Sequence, residues 1–225
     1  MERSQSLTFL RRGCLLWLVV VLLVAISALG QAVSDPWLIL ASGEKGLINA
    51  HTTRGDLVRA YGASNVVDRD VEVGEGETEA GTVVFPQDPQ RSIEILWKDP
   101  EKKAEPSCLT ISGKTSRWHA VHGISLGMSL SELERLNGRP FHLAGFAWDY
   151  SGTVLSWDRG SLAAELDGGH GRLIVRLDPP YDDRVPGAEQ SQAMGDRDFT
   201  SDHPVMQKLN PKTYQIIWVF PSPTN

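Results

Sequence analysis

Cysteine is nearly absent from this chain. It occurs twice in 225 residues, and Cys14 stands ahead of an apolar run near the N-terminus, so Cys108 is alone in the remainder. No intramolecular disulfide can form there, and the fold must hold by packing, which a chain of this length can supply. A basic tract is missing too. The 22 Lys and Arg are scattered along the chain against 28 Asp and Glu, for a net charge of -6. Such an acidic body repels phosphate backbones and argues against nucleic acid as a partner. Catalytic signatures are equally scarce: there is no Gly-x-Ser-x-Gly, no His-Glu-x-x-His and no phosphate-cradling glycine loop.

Metal-ligand spacing is lacking as well. On an extended segment His119 and His122, three apart, point to opposite faces, and no third ligand follows at a usual distance. They read as loop histidines. Asp178, Asp182 and Asp183, and the set Glu75, Glu77 and Glu79, supply carboxylates without the spacing of a calcium loop, so they read as solvated acidic loops. No metal and no cofactor is expected. Cys108 lies in Pro106-Ser-Cys-Leu-Thr110, which has no nucleophile signature, and reads as a buried apolar thiol on a strand.

One long apolar run is present. Arg11 and Arg12 precede Cys14 to Leu29, in which Ser27 is the only hydroxyl residue, and Ala28-Leu-Gly30 follows. A basic start, an apolar stretch and small residues before a cut are the pattern of an export signal, with cleavage near Gln31. Retained, the run would be a membrane anchor with the body outside the cytoplasm. Both alternatives export residues 31 onward, to the periplasm or beyond, possible tethering to the inner membrane being the anchor case. The leader carries a net +2, so the body alone stands at -8.

The body reads as two copies of one pattern, 76 residues apart. Thr53, Asp56, Leu57 and Gly62 match Ser129, Glu132, Leu133 and Gly138. A hydroxyl followed three residues later by an acid is a capping box, and glycine nine after the hydroxyl supplies a left-handed exit, so each set predicts a short helix. Strand signals follow. Thr82–Phe85, Arg91–Trp97 and Cys108–Ile111 come after the first helix; Phe146–Tyr150, Thr153–Trp157, Ser161–Leu166, Arg172–Leu177 and Thr213–Phe220 come after the second. The expected fold is therefore α+β: two helix-plus-antiparallel-meander repeats, at 31–118 and 119–225, behind the leader at 1–30. Two loops interrupt them, an acidic insertion at 72–81 and a long loop at 178–210. Within the long loop Ser201 or Asp202 caps one helical turn that Asn210-Pro211 stops.

The aromatic residues suggest a binding face. Phe146, Trp148 and Tyr150 alternate on one strand, Trp157 lies on the next, and Trp97 ends a strand of the first half. A sheet with helices on one side has a second face, and aromatics left there would form a contact surface of the residue types that dominate hot spots.

The phrase Gly127-Met-Ser-Leu-Ser-Glu-Leu-Glu-Arg-Leu-Asn-Gly-Arg-Pro140 resembles the helix opening of the beta-lactamase-inhibitor-protein-like fold, shared with the small lipoprotein of the outer-membrane barrel-assembly machinery. Asn49–Thr53, Gly74–Thr78, Arg91–Asp99, Leu136–Phe141 and Ser201–Pro204 look like a group of exported bacterial proteins with no assigned activity. The resemblance implies a tandem α+β envelope protein that works without catalysis, by binding a protein, as an inhibitor-like or assembly-scaffold module. The alternative is an envelope hydrolase with a site under the 178–210 loop, using His203, Asp182 and a nucleophile.

Overall fold

Thr53 and Ser129 each open a helix, as their spacing predicts. A computed structural model of the chain describes residues 37–38, 48–74, 76–165, 171–180 and 186–221. The leader, Glu75, residues 166–170 and the pair Asp182 and Asp183 lie outside the described residues. In α1 (Arg54–Tyr61) the Thr53 hydroxyl accepts from the Asp56 amide while the Asp56 carboxylate accepts from the Thr53 amide. In α2 (Leu130–Asn137) Ser129 and Glu132 do the same. Both carboxyls sit below their ordinary pKa, held there chiefly by the hydrogen bonds from Thr53 and Ser129 respectively. Gly138 closes α2 in the left-handed region, at φ 75°.

Nine strands are present among the described residues. They are β1 (Val66–Gly74), β2 (Glu77–Val84), β3 (Ile93–Asp99), β4 (Ala104–Ser112), β5 (His142–Ala144), β6 (Val154–Ser156), β7 (Arg172–Asp178), β8 (Asp198–Thr200) and β9 (Lys212–Val219). Six make one antiparallel sheet in the order β1-β2-β3-β4-β9-β7, and three make a small sheet in the order β6-β5-β8. With α3 (Gly187–Gln190) and α4 (Pro204–Leu209), the architecture is α+β. The strands after α1 form a meander, β1 to β4, whereas those after α2 divide between the two sheets. β9 pairs directly with β4, so the large sheet is continuous, and the described residues from Trp37 onward form one compact unit.

Several segments differ from the expectation, each for a visible reason. The acidic stretch 72–81 is the distal end of the β1–β2 hairpin and not a loop insertion. Its acids occupy both sides of a ribbon that pairs with β3 only at Thr82, Val83 and Val84, so most of the ribbon meets water. Phe146–Tyr150 is a turn rather than a strand: Ala147 has φ 61°, and the Ser151 and Thr153 amides donate back to Trp148 and Tyr150. Gly152 makes this turn possible, because a Cβ there would meet the Leu177 carbonyl oxygen at 1.8 Å. Leu177 donates its amide to the Gly152 oxygen, docking the turn on β7. At the predicted strand 161–166, Ala163–Glu165 is instead a 3-10 turn. Asn137, buried at the end of α2, holds it by accepting from the Leu162 amide and donating to the Trp157 and Arg139 carbonyls. The 178–210 segment contains α3, β8 and α4.

The core lies on one face of the large sheet. Ile93, Ile95 and Trp97 on β3, Leu109 and Ile111 on β4, Ile216 and Trp218 on β9, and Leu173, Val175 and Leu177 on β7 are all buried and belong to one cluster. Leu57 of α1, Leu130 and Leu133 of α2, Val205, Met206 and Leu209 of α4, and Leu143, Val154 and Phe199 of the small sheet join the same cluster. These three helices and the small sheet therefore pack on this inner face.

Candidate functional site

The five aromatics expected to share a binding face do not form one. Trp97, Phe146 and Trp157 are core residues, at 5%, 0% and 1% exposure. Trp97 donates its indole N–H to Thr82 Oγ1, Trp157 packs on Phe141 at 5.0 Å between ring centroids, and Phe146 belongs to the same apolar cluster. The physical reason is area: a large ring gains more from burial than the aliphatic residues beside it. Trp148 is half-buried, with its N–H on the Gly145 oxygen, and Tyr150 stacks edge-on against it while remaining 56% exposed. This pair is all of the predicted surface that reaches water.

Of the groups named for a hydrolase, Asp182 lies outside the described residues and His203 is a helix cap. His203, not Ser201 or Asp202, is the N-cap of α4: its Nδ1 accepts from the Val205 amide at 3.3 Å, and its ring lies edge-on to Phe199. The Ser201 hydroxyl, fully buried, accepts from the Phe141 amide and donates to the Glu134 carboxylate. These bonds tie α2 to the segment before α4. No group of three or more His, Cys, Asp and Glu residues is placed to hold a metal ion among the described residues.

What the fold does present is the outer face of the large sheet. Strand alternation puts there the residues between the core positions. One row across the strands runs Arg69, Gly81, Leu96, Cys108, Val219 and Arg172; the next runs Val67, Val83, Glu94, Thr110, Ile217 and Ile174. Leu96, Cys108, Thr110, Ile217, Val219 and Ile174 are partly exposed and together make a continuous apolar centre. Burial pushes the Cys108 thiol pKa up, so the thiol packs here as a small apolar group that is mainly protonated at neutral pH.

Apart from Glu94, which adjoins Thr110 on β3, the charges named on this face stand toward its margins. Arg69 on β1 reaches Glu94 on β3 across the intervening β2, and beneath this bridge Val83 is fully buried. Gly81 allows the margin to close up: a Cβ there would meet Val71 Cγ2 at 2.7 Å and Leu96 Cδ2 at 3.3 Å. Glu77 and Glu79 stand farther along β2, and Arg172 and Arg176 stand on β7 at the opposite side. An apolar centre with charges at the rim is the composition of a protein-contact patch.

A second polar arrangement braces the sheet from its inner side. Asp68 accepts from Arg54, Lys103 and Thr82, and Thr82 in turn accepts from Trp97. Partial burial works against the Asp68 charge, but these three donors outweigh it and hold the carboxyl below its usual pKa. The chain links α1, β1, β2, β3 and the turn before β4, and so fixes the position of the hairpin.

No protein-family model, curated protein or solved structure matches this chain. The described helices include none long and apolar enough to cross a membrane. The residues of the outer face were missed in the sequence because each is ordinary alone. The signal that could have found them is parity: they alternate with Trp97 and Trp218, the rings that mark the inward positions.

Proposed function

We propose that this is an exported, non-catalytic envelope protein that works by protein–protein contact through the outer face of its six-stranded sheet, in the manner of an assembly scaffold or inhibitor. The observation that carries this reading is the apolar centre Leu96, Cys108, Thr110, Ile217, Val219 and Ile174, partly exposed on the face opposite the one that α1, α2, α4 and the small sheet cover. Export rests on the leader pattern, with the body in the periplasm or beyond and the membrane involved through residues 1–30 if they are retained. The two capping boxes, 76 residues apart and each opening an eight-residue helix, support descent from a tandem repeat in which the second set of strands was redistributed between two sheets. A capped helix laid on an antiparallel sheet also supports the likeness to the inhibitor and barrel-assembly folds drawn from Gly127 to Pro140.

The test is site-specific photo-crosslinking in living cells. A photoreactive side chain at Ile217 should yield a discrete adduct, and one at Arg135, on the exposed side of α2, should not. Equal labelling at both positions, or none at Ile217, would refute the reading.

A further inference from the structure

We propose that the occupant of this face is a second copy of the same chain, bound about a two-fold axis that runs parallel to the strands above β4. The inference rests on the outer face being a contact surface and adds the identity of the partner. A two-fold axis in that direction turns one sheet over onto the other and exchanges its two sides, so β2 faces β7 of the second copy, β3 faces β9, and β4 faces itself. The residues then match by chemistry. Leu96 meets Val219, and Cys108 and Thr110 lie against their own counterparts on the axis, while Val83 stays covered by the Arg69–Glu94 bridge. Arg172 comes to stand over the Val71 and Leu96 side chains that close above Gly81, and beside Glu79, the next outward residue on β2.

Charge distribution favours this axis over the others. Glu77 and Glu79 on β2, and Arg172 on β7, make no ion pair with another of the described residues, and they stand on opposite sides of the apolar centre. A two-fold axis perpendicular to the strands would set acid on acid and arginine on arginine. The parallel axis sets each acidic side on an arginine, twice per dimer, by symmetry. Glu94, which would otherwise lie under Ile217 of the second copy, is drawn aside by its ion pair with Arg69. Five strands face the second copy, because β1 lies beyond its β7 edge; about 4.8 Å apart and about six residues long, they give a face of roughly 480 Å² per copy. The total, roughly 960 Å², falls below the lower end of stable interfaces, about 1,200 Å², and among transient contacts. The contact is therefore specific but reversible, and dilution should dissociate it.

The experiment uses the protein as the cell processes it, in sedimentation equilibrium over a range of concentrations. The wild type should show twice the mass of the chain and dissociate on dilution. Arg172→Glu and Glu79→Arg should each weaken the dimer by about tenfold or more, and the double variant should recover most of the loss, because the pair is re-formed with its signs exchanged. A short bis-maleimide should join Cys108 to Cys108 in the dimer and fail in Cys108→Ser. Two copies paired instead through the β1 edge would hold those thiols about 30 Å apart by strand spacing and could not be joined. A protein that stays monomeric at its highest soluble concentration, a dimer without the Cys108 cross-link, or single charge reversals that are not rescued by each other, would overturn the proposal. A monomer that still gives an adduct of another mass at Ile217 in cells would overturn the second copy while leaving the contact face standing. Loss of both results would remove the contact face too.

Discussion

The two faces of the six-stranded sheet are made by the same strands and carry similar aliphatic residues, yet they differ in how far they are covered. On the inner face Trp97 and Trp218, together with Ile93, Ile95, Leu109, Ile111 and Ile216, are covered by helices and the small sheet. On the outer face the intervening residues are Leu96, Cys108, Thr110, Ile217 and Val219, none of them aromatic, with Arg and Glu, apart from Glu94, toward the margins. The large rings are spent where coverage is complete and the smaller side chains where it is not. The surface left uncovered on the sheet is therefore broad, shallow and aliphatic, and the contact proposed for it would rest on such side chains rather than on aromatic anchors. If that is right, substitutions should sort by face: those on the inner side cost stability, and those on the outer side cost contact.

The largest effect should come from the inner side. Trp157→Ala removes a fully buried ring packed on Phe141 and should destabilise the protein by about 3–5 kcal/mol in chemical denaturation. A tolerated alanine there would break the division between faces. Next is Asn137→Ala, which leaves the Leu162 amide and the Trp157 carbonyl without their partner in a buried site. The expected cost is about 2 kcal/mol, since an unsatisfied buried polar group loses its desolvation compensation. Ser129→Ala should cost about 1 kcal/mol through the lost cap of α2, seen as a lower Tm with an unchanged circular dichroism spectrum.

Acid sharpens the same comparison. Asp68 and Glu132 have folded pKa values below their ordinary ones, so the unfolded state binds more protons as the pH falls. Their stabilisation is complete above the ordinary carboxylate range, near pH 4, and is lost as the pH drops through the lower folded values. Melting measured across that window should show Tm falling with pH, and the slope should be shallower in Asp68→Asn. An unchanged slope would remove Asp68 from the network that positions the hairpin.

The parts of this fold that were legible in the sequence are those decided locally. A capping box depends on residues within four positions of one another, so Thr53 with Asp56 and Ser129 with Glu132 could be read directly. Strands β3, β4, β6, β7 and β9 were found from apolar alternation and from turn residues around them. β1 was not: Val67, Arg69, Val71 and Val73 share one face there and alternate with Asp68, Asp70 and Glu72, and only its distal end falls in the acidic stretch 72–81 read as a loop. Phe146 to Tyr150 had the alternation of a strand and became a turn because Gly152 lets the backbone touch Leu177, a contact 25 residues distant that no local pattern records. His203 displaced Asp202 as a helix cap through side-chain geometry alone. The candidate face was least legible of all, since which of two alternating aliphatic sets points inward is decided by the elements that come to cover it.

The most direct test of the account is Ile217→Lys, examined at once for stability at low protein concentration and for cross-linking on the outer face in cells. Ile217 lies at the centre of that face, partly exposed between Thr110 and Ile174. The account predicts a Tm close to that of the wild type, because the lysine ammonium can reach water along the sheet surface, together with loss of the cross-linked product formed from a photoreactive group at Thr110. A collapse of stability with this single substitution, or an adduct that persists undiminished, would contradict it.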